Sequence, residues 1–363
     1  MNARLDSAKF SFETFTCVLG AGVEFIIVTS IAVLLIEFPA RASYAAQPIA
    51  KQSDNKLEFK TNSIGMKFVK MKAESFDIGS SIQEIESKRK VAKVELDKET
   101  FFNEIPKYRV HIKKDYWIGR HEVTTSEFLK FVESRRYKTT AEFSQEGGWG
   151  YAKNDNPEVS TDRKYYWANI GEIEWYGPAY PVVNVSWSDA KDFCEWLSNK
   201  ENRNYKLPTE CQWEYACRAG SEDMYCFGTD AEKLSVYGNV ADSSTLKFFK
   251  DWKHPIKNSD RYPFLAPVGQ FTANTWGIYD MHGNVSEICR DSYHDDFYDD
   301  RKESDDWNQR RSEFRVLRGS HCLHDTVFSA CSYRHYVSIA SDSAYSTVIG
   351  FRIVCEDGDP KSD

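Results

Sequence analysis

The stretch Phe271–Arg290, FTANTWGIYDMHGNVSEICR, leaves little room for long regular elements. A turn at Thr272–Asn274 leads into an apolar run carrying Trp276, Ile278 and Tyr279, and a second, Gly-Asn turn follows at Gly283–Asn284. Turn residues and aromatic rings at this density predict loops and short strands rather than a long helix. Carboxylates stand on both sides of the second turn, at Asp280 and Glu287. Such carboxylates, spaced by main-chain carbonyls, suit a hard cation, because Ca²⁺ gathers about 6–8 oxygens from side chains and backbone together. A hairpin turn with two solvated acids has the same local pattern.

The chain has 363 residues, enough for one large domain or two ordinary ones. A formal net charge of -8 argues against nucleic-acid binding, which calls for a basic face, and against a polybasic membrane patch. Residues 1–46 have the layout of a secretory signal: Arg4 and Lys9, an apolar segment from Val18 to Ile36 interrupted by Glu24, then small residues around Ala40–Ala42. An uncleaved membrane anchor is the alternative, since the apolar segment is nearly long enough to span. Either reading places the body outside the cytoplasm, where disulfides are allowed. Residues 47–57 form a polar linker, 58–357 the folded domain and 358–363 a tail.

Within the domain, strands are expected around Asn62–Val69, Phe76–Ser80 and Tyr108–Ile118, and Ser81–Thr100 reads as a solvated helix or excursion. Helices are expected after Thr124, with Phe128, Leu129, Phe131 and Val132 inward, after Ser186 (a capping box with Asp189), and after Thr209. Thr139–Tyr180 reads as a long aromatic loop, and the acidic Tyr293–Glu313 as a solvated excursion. Phe314–Arg318, Ser329–Val337 and Val348–Cys355 close the chain as strands.

The usual motifs of nucleotide binding, zinc proteolysis, serine hydrolysis and thioredoxin chemistry are absent. Nine cysteines are present, and without Cys17 in the leader eight remain. An even number in an exported chain suggests disulfides, but about a hundred pairings are possible. One local cluster combines His321, Cys322 and His324 with Cys331 and His335 further on. Imidazole and thiolate together suit copper or zinc. A buried or disulfide-bridged cysteine beside solvated histidines accounts for it better, because the spacing matches no zinc template closely.

Seven segments, in order from Asn62 to Cys355, resemble the formylglycine-generating enzyme (sulfatase-modifying factor) family. They are NSIGMKFVKMKAESFDIGS, HEVTTSEFLKFV, PVVNVSWSDAKDFCEWLS, LPTECQWEYACRAG, APVGQFTANTWGIYDMHGNVSE, RVLRGS and IGFRIV. The resemblance implies an α+β, C-type-lectin-like, loop-rich fold with little regular secondary structure. It implies two structural calcium sites, one at Asn239, Val240, Asp260 and Tyr262 and one at Asp280, Gly283, Val285 and Glu287. It also implies disulfides joining Cys194 to Cys355 and Cys217 to Cys331.

The departures bear on activity. Members that oxidise a cysteine to formylglycine hold Cu(I) between two thiolates spaced C-x-x-x-x-C after R-G-G-S. Here the motif reads Arg318-Gly319-Ser320-His321, Cys322 alone follows closely, and Val327 stands where the second cysteine is expected. Ser286 and Ile288 replace two family tryptophans. Two readings follow. One is a calcium-stabilised binding or assembly module with a protein or peptide partner, touching a membrane only through its N-terminal segment. The other is an enzyme acting through Cys322 and Cys331, aided by His321 or His324, on a sulfatase-type peptide with copper, or by a related metal-dependent oxidation.

Overall fold

The computed structural model describes residues 57–92, 96, 99–152, 159–171, 176–250, 252, 255–295, 312–339 and 345–356. The leader, most of the linker, the bulk of the acidic excursion and the tail lie outside the described residues. Among the described residues no helix is long and apolar enough to cross a membrane.

Short strands dominate, as turn density implies. Phe59–Thr61, Lys67–Met71, Tyr116–Gly119, Val354–Glu356 and Asn204–Lys206 lie side by side in that order in a five-stranded antiparallel sheet. A four-stranded sheet runs Arg334–Ser338, Phe314–Arg318, Ser286–Ser292, Ile349–Gly350, the last pair parallel. Two two-stranded antiparallel sheets, Ser75–Ile78 with Tyr108–His111 and Gly148–Tyr151 with Val159–Asp162, complete the strands. Thus the α+β, loop-rich architecture implied by the resemblance is present.

The expected helices form where their caps stand. Thr124 and Glu127 close a capping box on Thr125–Arg135, Ser186 and Asp189 on Trp187–Glu201, and Thr209 and Gln212 on Glu210–Arg218. Ser81 and Glu84 do the same for Ile82–Val91, so the charged stretch after Ser80 is a helix. Phe128, Phe131, Phe193 and Trp196 interleave with Trp167 and Phe351 to fill the core between the first two of these helices and the sheet.

Three expectations need correction. Tyr108–Ile118 is two strands in different sheets, because the chain bends over Lys113–Asp115 and sends Tyr108–His111 to one partner and Tyr116–Gly119 to another. Leu129 is exposed and contributes nothing to the inner stripe. The aromatic region after Thr139 contains a helical turn, Thr140–Phe143, and the hairpin ending at Asp162.

Candidate metal and cysteine sites

The Gly-Asn turn is fastened from several sides. The Asn274 carboxamide oxygen accepts from the Trp276 and Ile278 N–H groups, both at 3.1 Å, while its NH₂ donates to Ala216 O at 2.7 Å. That ties the loop to the end of helix Glu210–Arg218. Asp280 and Asn284 both take left-handed φ, 63° and 71°, a conformation short polar side chains tolerate. Asn284 is the centre of the turn. Its N–H donates to Asn239 O at 2.8 Å, its Oδ1 accepts from Ala266 N–H at 2.9 Å, and its Nδ2 donates to Glu122 at 3.0 Å. A Cβ at Gly283 would sit 2.1 Å from Asn239 O, so the two loops can approach this closely only with glycine there.

The turn thereby abuts Asn239, Val240, Asp260 and Tyr262. Asp260 accepts from the N–H groups of Val240 (3.1 Å) and Tyr262 (2.8 Å), and its own N–H donates to Asp242. Burial, then the neighbouring Asp242 charge, pushes the Asp260 carboxyl up to about 8. Asn239 Oδ1 is buried with no donor. An orphaned amide oxygen beside two buried carboxyls is a donor set that fits a hard cation. Asp242 was not singled out from sequence; an acid two residues after Asn239-Val240 was its only signal.

The second set divides. Glu287 is fully engaged: Arg352 grips it with Nε at 2.6 Å and an NH₂ at 2.7 Å, and Trp213 Nε1 donates at 2.9 Å. Asp280 Oδ2 accepts from Gly269 N–H at 2.7 Å, but its Oδ1 is buried without a donor, as is Glu122 Oε2. Burial, then the Asp280 and Glu287 charges, raises the Glu122 carboxyl well above the carboxylate range. Burial also raises Asp280, opposed by the Gly269 N–H and by a hydrogen bond that Glu122 donates when it holds its proton, so the two oxygens lack a partner only when both groups are ionised. Two facing carboxyls with unfilled oxygens want a shared proton or a cation. The available oxygens are therefore those of Asp280 and Glu122, and Glu287 is an arginine's partner. Gly283 sets the loop contact, and Val285 packs its side chain against Cys322. Glu122 was missed because its acid lies far away in sequence, inside HEVTTSEFLKFV.

Cys322 follows the Arg318–Ser320 turn. Its thiol is fully buried among Ile170, Val183, Leu265 and Val285, and its N–H donates to Asn284 O at 3.1 Å. Burial, then the Asp260 charge, holds it far above an ordinary thiol, so it stays protonated. His321 and His324 stack at 3.6 Å between ring centres, and His335 lies 6.0 Å from His324. Burial lowers His321 to about 3 and His335 to about 4, leaving neutral imidazoles. His321 Nδ1 accepts from Leu323 N–H, and His324 Nδ1 is buried without a partner.

Cys331 is not brought to Cys322. It packs in a different apolar cluster with Cys217, and the ligand atoms of Cys217, Cys331 and His282 all lie within 4.8 Å of one another. The bridges implied by the resemblance are not formed among the described residues. Cys194 and Cys355 share one core cluster and Cys217 and Cys331 another, but all eight described cysteines are buried free thiols.

Comparisons with known proteins show the family and the fold. Residues 74–357 match the family model described as sulfatase-modifying factor enzyme 1-like domain. The chain is 29% identical over 275 residues to the inactive C-alpha-formylglycine-generating enzyme 2 of Mus musculus, covering 69% of this chain and 78% of that one. It is likewise 29% identical over 208 residues to the formylglycine-generating enzyme of Mus musculus, covering 52% of each. The match thus spans about half the length of that relative. Among solved structures, PvdO from Pseudomonas aeruginosa superposes with a TM-score of 0.62 at 25% identity, covering 85% of this chain and 100% of that one. Treponema denticola variable protein 1 shares the fold, with a TM-score of 0.56 at 19% identity over 82% of this chain and 99% of that one.

Proposed function

The chain belongs to the sulfatase-modifying factor enzyme 1-like family, and from that premise we propose that it is an exported, calcium-stabilised member that binds or assembles with a protein partner and does not oxidise cysteine. The state of Cys322 carries this reading. A copper-dependent oxidase needs two accessible thiolates, whereas this loop offers one thiol, fully buried and protonated, and the next cysteine, Cys331, is buried beside Cys217 in another cluster. These residues do not fit the family's copper. The likeness to a relative named inactive supports the same reading. Export rests on the signal-like layout of residues 1–46.

Calcium, when bound, would supply positive charge against buried acids in a region with little regular structure. Asn239 and Asp260, with the main-chain carbonyls of Val240 and Tyr262, would hold one ion. Asp280 and Glu122, with the main chain at Gly283 and Val285, would hold the other. The orphaned oxygens of Asn239, Asp280 and Glu122 support both placements.

A second reading, a divergent metal-dependent oxidation at the same loop, draws on the cluster of neutral imidazoles at His321, His324 and His335. One experiment separates the two. The full chain, loaded with Cu⁺, is given oxygen, a reductant and a peptide carrying C-x-P-x-R, and the products are weighed by mass spectrometry. The module reading expects no aldehyde. Aldehyde formation abolished by Cys322→Ser would overturn it. Aldehyde that survives this change but is lost in His324→Ala would move the chemistry to the imidazoles.

A further inference from the structure

Cys217, His282 and Cys331 come from three separate elements. Cys217 ends helix Glu210–Arg218, His282 lies in the Gly-Asn loop, and Cys331 precedes strand Arg334–Ser338. All three are buried, at 0%, 1% and 0% exposure, and their ligand atoms fall within 4.8 Å of one another. In a tetrahedral site with Zn–S of about 2.3 Å and Zn–N of about 2.0 Å, donors stand roughly 3.5–3.8 Å apart. With all three ligand atoms within 4.8 Å of one another, small side-chain rotations suffice to reach that geometry.

The imidazole is prepared as a ligand is. His282 Nδ1–H donates to Ser329 O at 2.8 Å, which leaves Nε2 as the basic nitrogen. Metal-ligating histidines are commonly fixed in this way, the far nitrogen donating to a main-chain carbonyl. Tyr225 and Phe227 stand edge-on to the ring at 5.7 and 5.4 Å and set its plane. The competitor for Nε2 is the Cys226 N–H, at a long 3.2 Å. Around the sulfurs, the guanidinium groups of Arg218 and Arg318 supply positive potential to Cys331. The Met281 carbonyl lies 3.8 Å from the Cys217 sulfur, and the Cys226 thiol is near enough to interact electrostatically with both other cysteines.

We infer that Cys217, His282 and Cys331 form a buried site for a thiophilic d¹⁰ metal ion, Zn²⁺ or Cu⁺, that pins the Gly-Asn loop to the helix and to the segment leading into strand Arg334–Ser338. Two thiolates and one neutral imidazole are the soft donor set that selects such ions over Ca²⁺. The site is separate from the oxygen-lined positions and from the Cys322 loop. A Cys217–Cys331 disulfide, which the resemblance implies, is the competing use of the same sulfurs; both are free thiols in this structure, and a metal would have to displace only the long Cys226 N–H bond to His282 Nε2. Binding releases the thiol protons to solvent and involves no change of oxidation state.

The test uses the full chain, reduced and handled without oxygen, dialysed against Zn²⁺ or, in a second arm, Cu⁺, with bound metal measured by plasma mass spectrometry. About one equivalent of at least one ion is expected, lost in His282→Gln and in Cys331→Ser. Co²⁺ in place of Zn²⁺ should give thiolate-to-cobalt bands in the near ultraviolet. Because those two variants could fail to fold, His282→Cys is the control: it should keep the metal and shift the cobalt spectrum. Failure to bind either ion, equal binding in all variants, or a Cys217–Cys331 cross-link persisting in the metal-loaded chain would overturn the assignment.

Discussion

Asp291 shows how much one buried group can do in this molecule. It lies in strand Ser286–Ser292 and accepts the N–H of Glu210, the first residue of helix Glu210–Arg218, at 2.8 Å. Burial, opposed by the neighbouring Arg290, raises its carboxyl to about 7. The unfolded value is about 3.9. Between those values the folded chain keeps a proton that the unfolded chain has lost. This group's contribution is therefore complete below about pH 4 and falls away as pH rises to 7, by at most about 1.4 kcal/mol per pH unit. Asp291→Asn keeps an oxygen for the Glu210 N–H and removes the titration. Urea unfolding at pH 5, 6 and 7 should show a shallower decline in the variant than in the parent chain; parallel declines would refute the account. Cys322 gives a second residue-scale test. Native chain treated with iodoacetamide should leave Cys322 unmodified over times that fully label the urea-unfolded chain. Rapid native labelling, located by peptide mapping, would mean the thiol is reachable after all.

Helix Glu210–Arg218 is the element where sequence and structure agree on the outline and part on the content. Its cap residue, Thr209, was legible, because capping chemistry is local, and so were the boxes at Thr124 and Ser186. All nine of its residues are buried, the acids included. Glu210 receives Arg334 through Nε at 2.7 Å and NH₂ at 2.9 Å, while Glu214 takes Arg318 and Arg218. The partners Arg334 and Glu210 are 124 residues apart, and no local period records such a pair. The same separation hid Glu122 from the candidate site and Arg352 from Glu287. Removing Arg334 leaves Glu210 with only the more distant Arg318 guanidinium at 3.6 Å, so Arg334→Met should cost about 3 kcal/mol, the low end for a broken buried pair, in chemical denaturation. Adding Glu210→Met should recover much of that loss. If the double variant is as unstable as the sum of the two singles, the pair is not coupled in the way its geometry requires.

At the scale of the whole molecule, the loops around Asn239, Asp260 and Asp280 have almost no sheet or helix to hold them. Asn284 and Gly283 clamp them to one another through main-chain contacts, but the buried Asn239 oxygen is left unfilled, and so are those of Asp280 and Glu122 unless the pair shares a proton. Each such oxygen costs about 1–3 kcal/mol while it lacks a partner. A bound cation turns that cost into coordination, which is why calcium should matter to the stability of the entire fold. At a calcium concentration of about 100 times Kd, the folded state gains about 2.7 kcal/mol, and the melting temperature should rise by several degrees over that in EGTA. Asn239→Ala and Asp280→Asn should each shrink that rise. Glu287→Gln decides between the ligand role implied by the resemblance and the arginine partnership seen here. If Glu287 serves Arg352, its loss lowers the melting temperature by the same amount with calcium and with EGTA, because the stranded guanidinium is indifferent to the ion. If Glu287 is a calcium ligand, the drop is larger with calcium present. A parent chain that melts identically in both buffers would remove calcium from the account altogether and leave the Glu122–Asp280 pair to a shared proton.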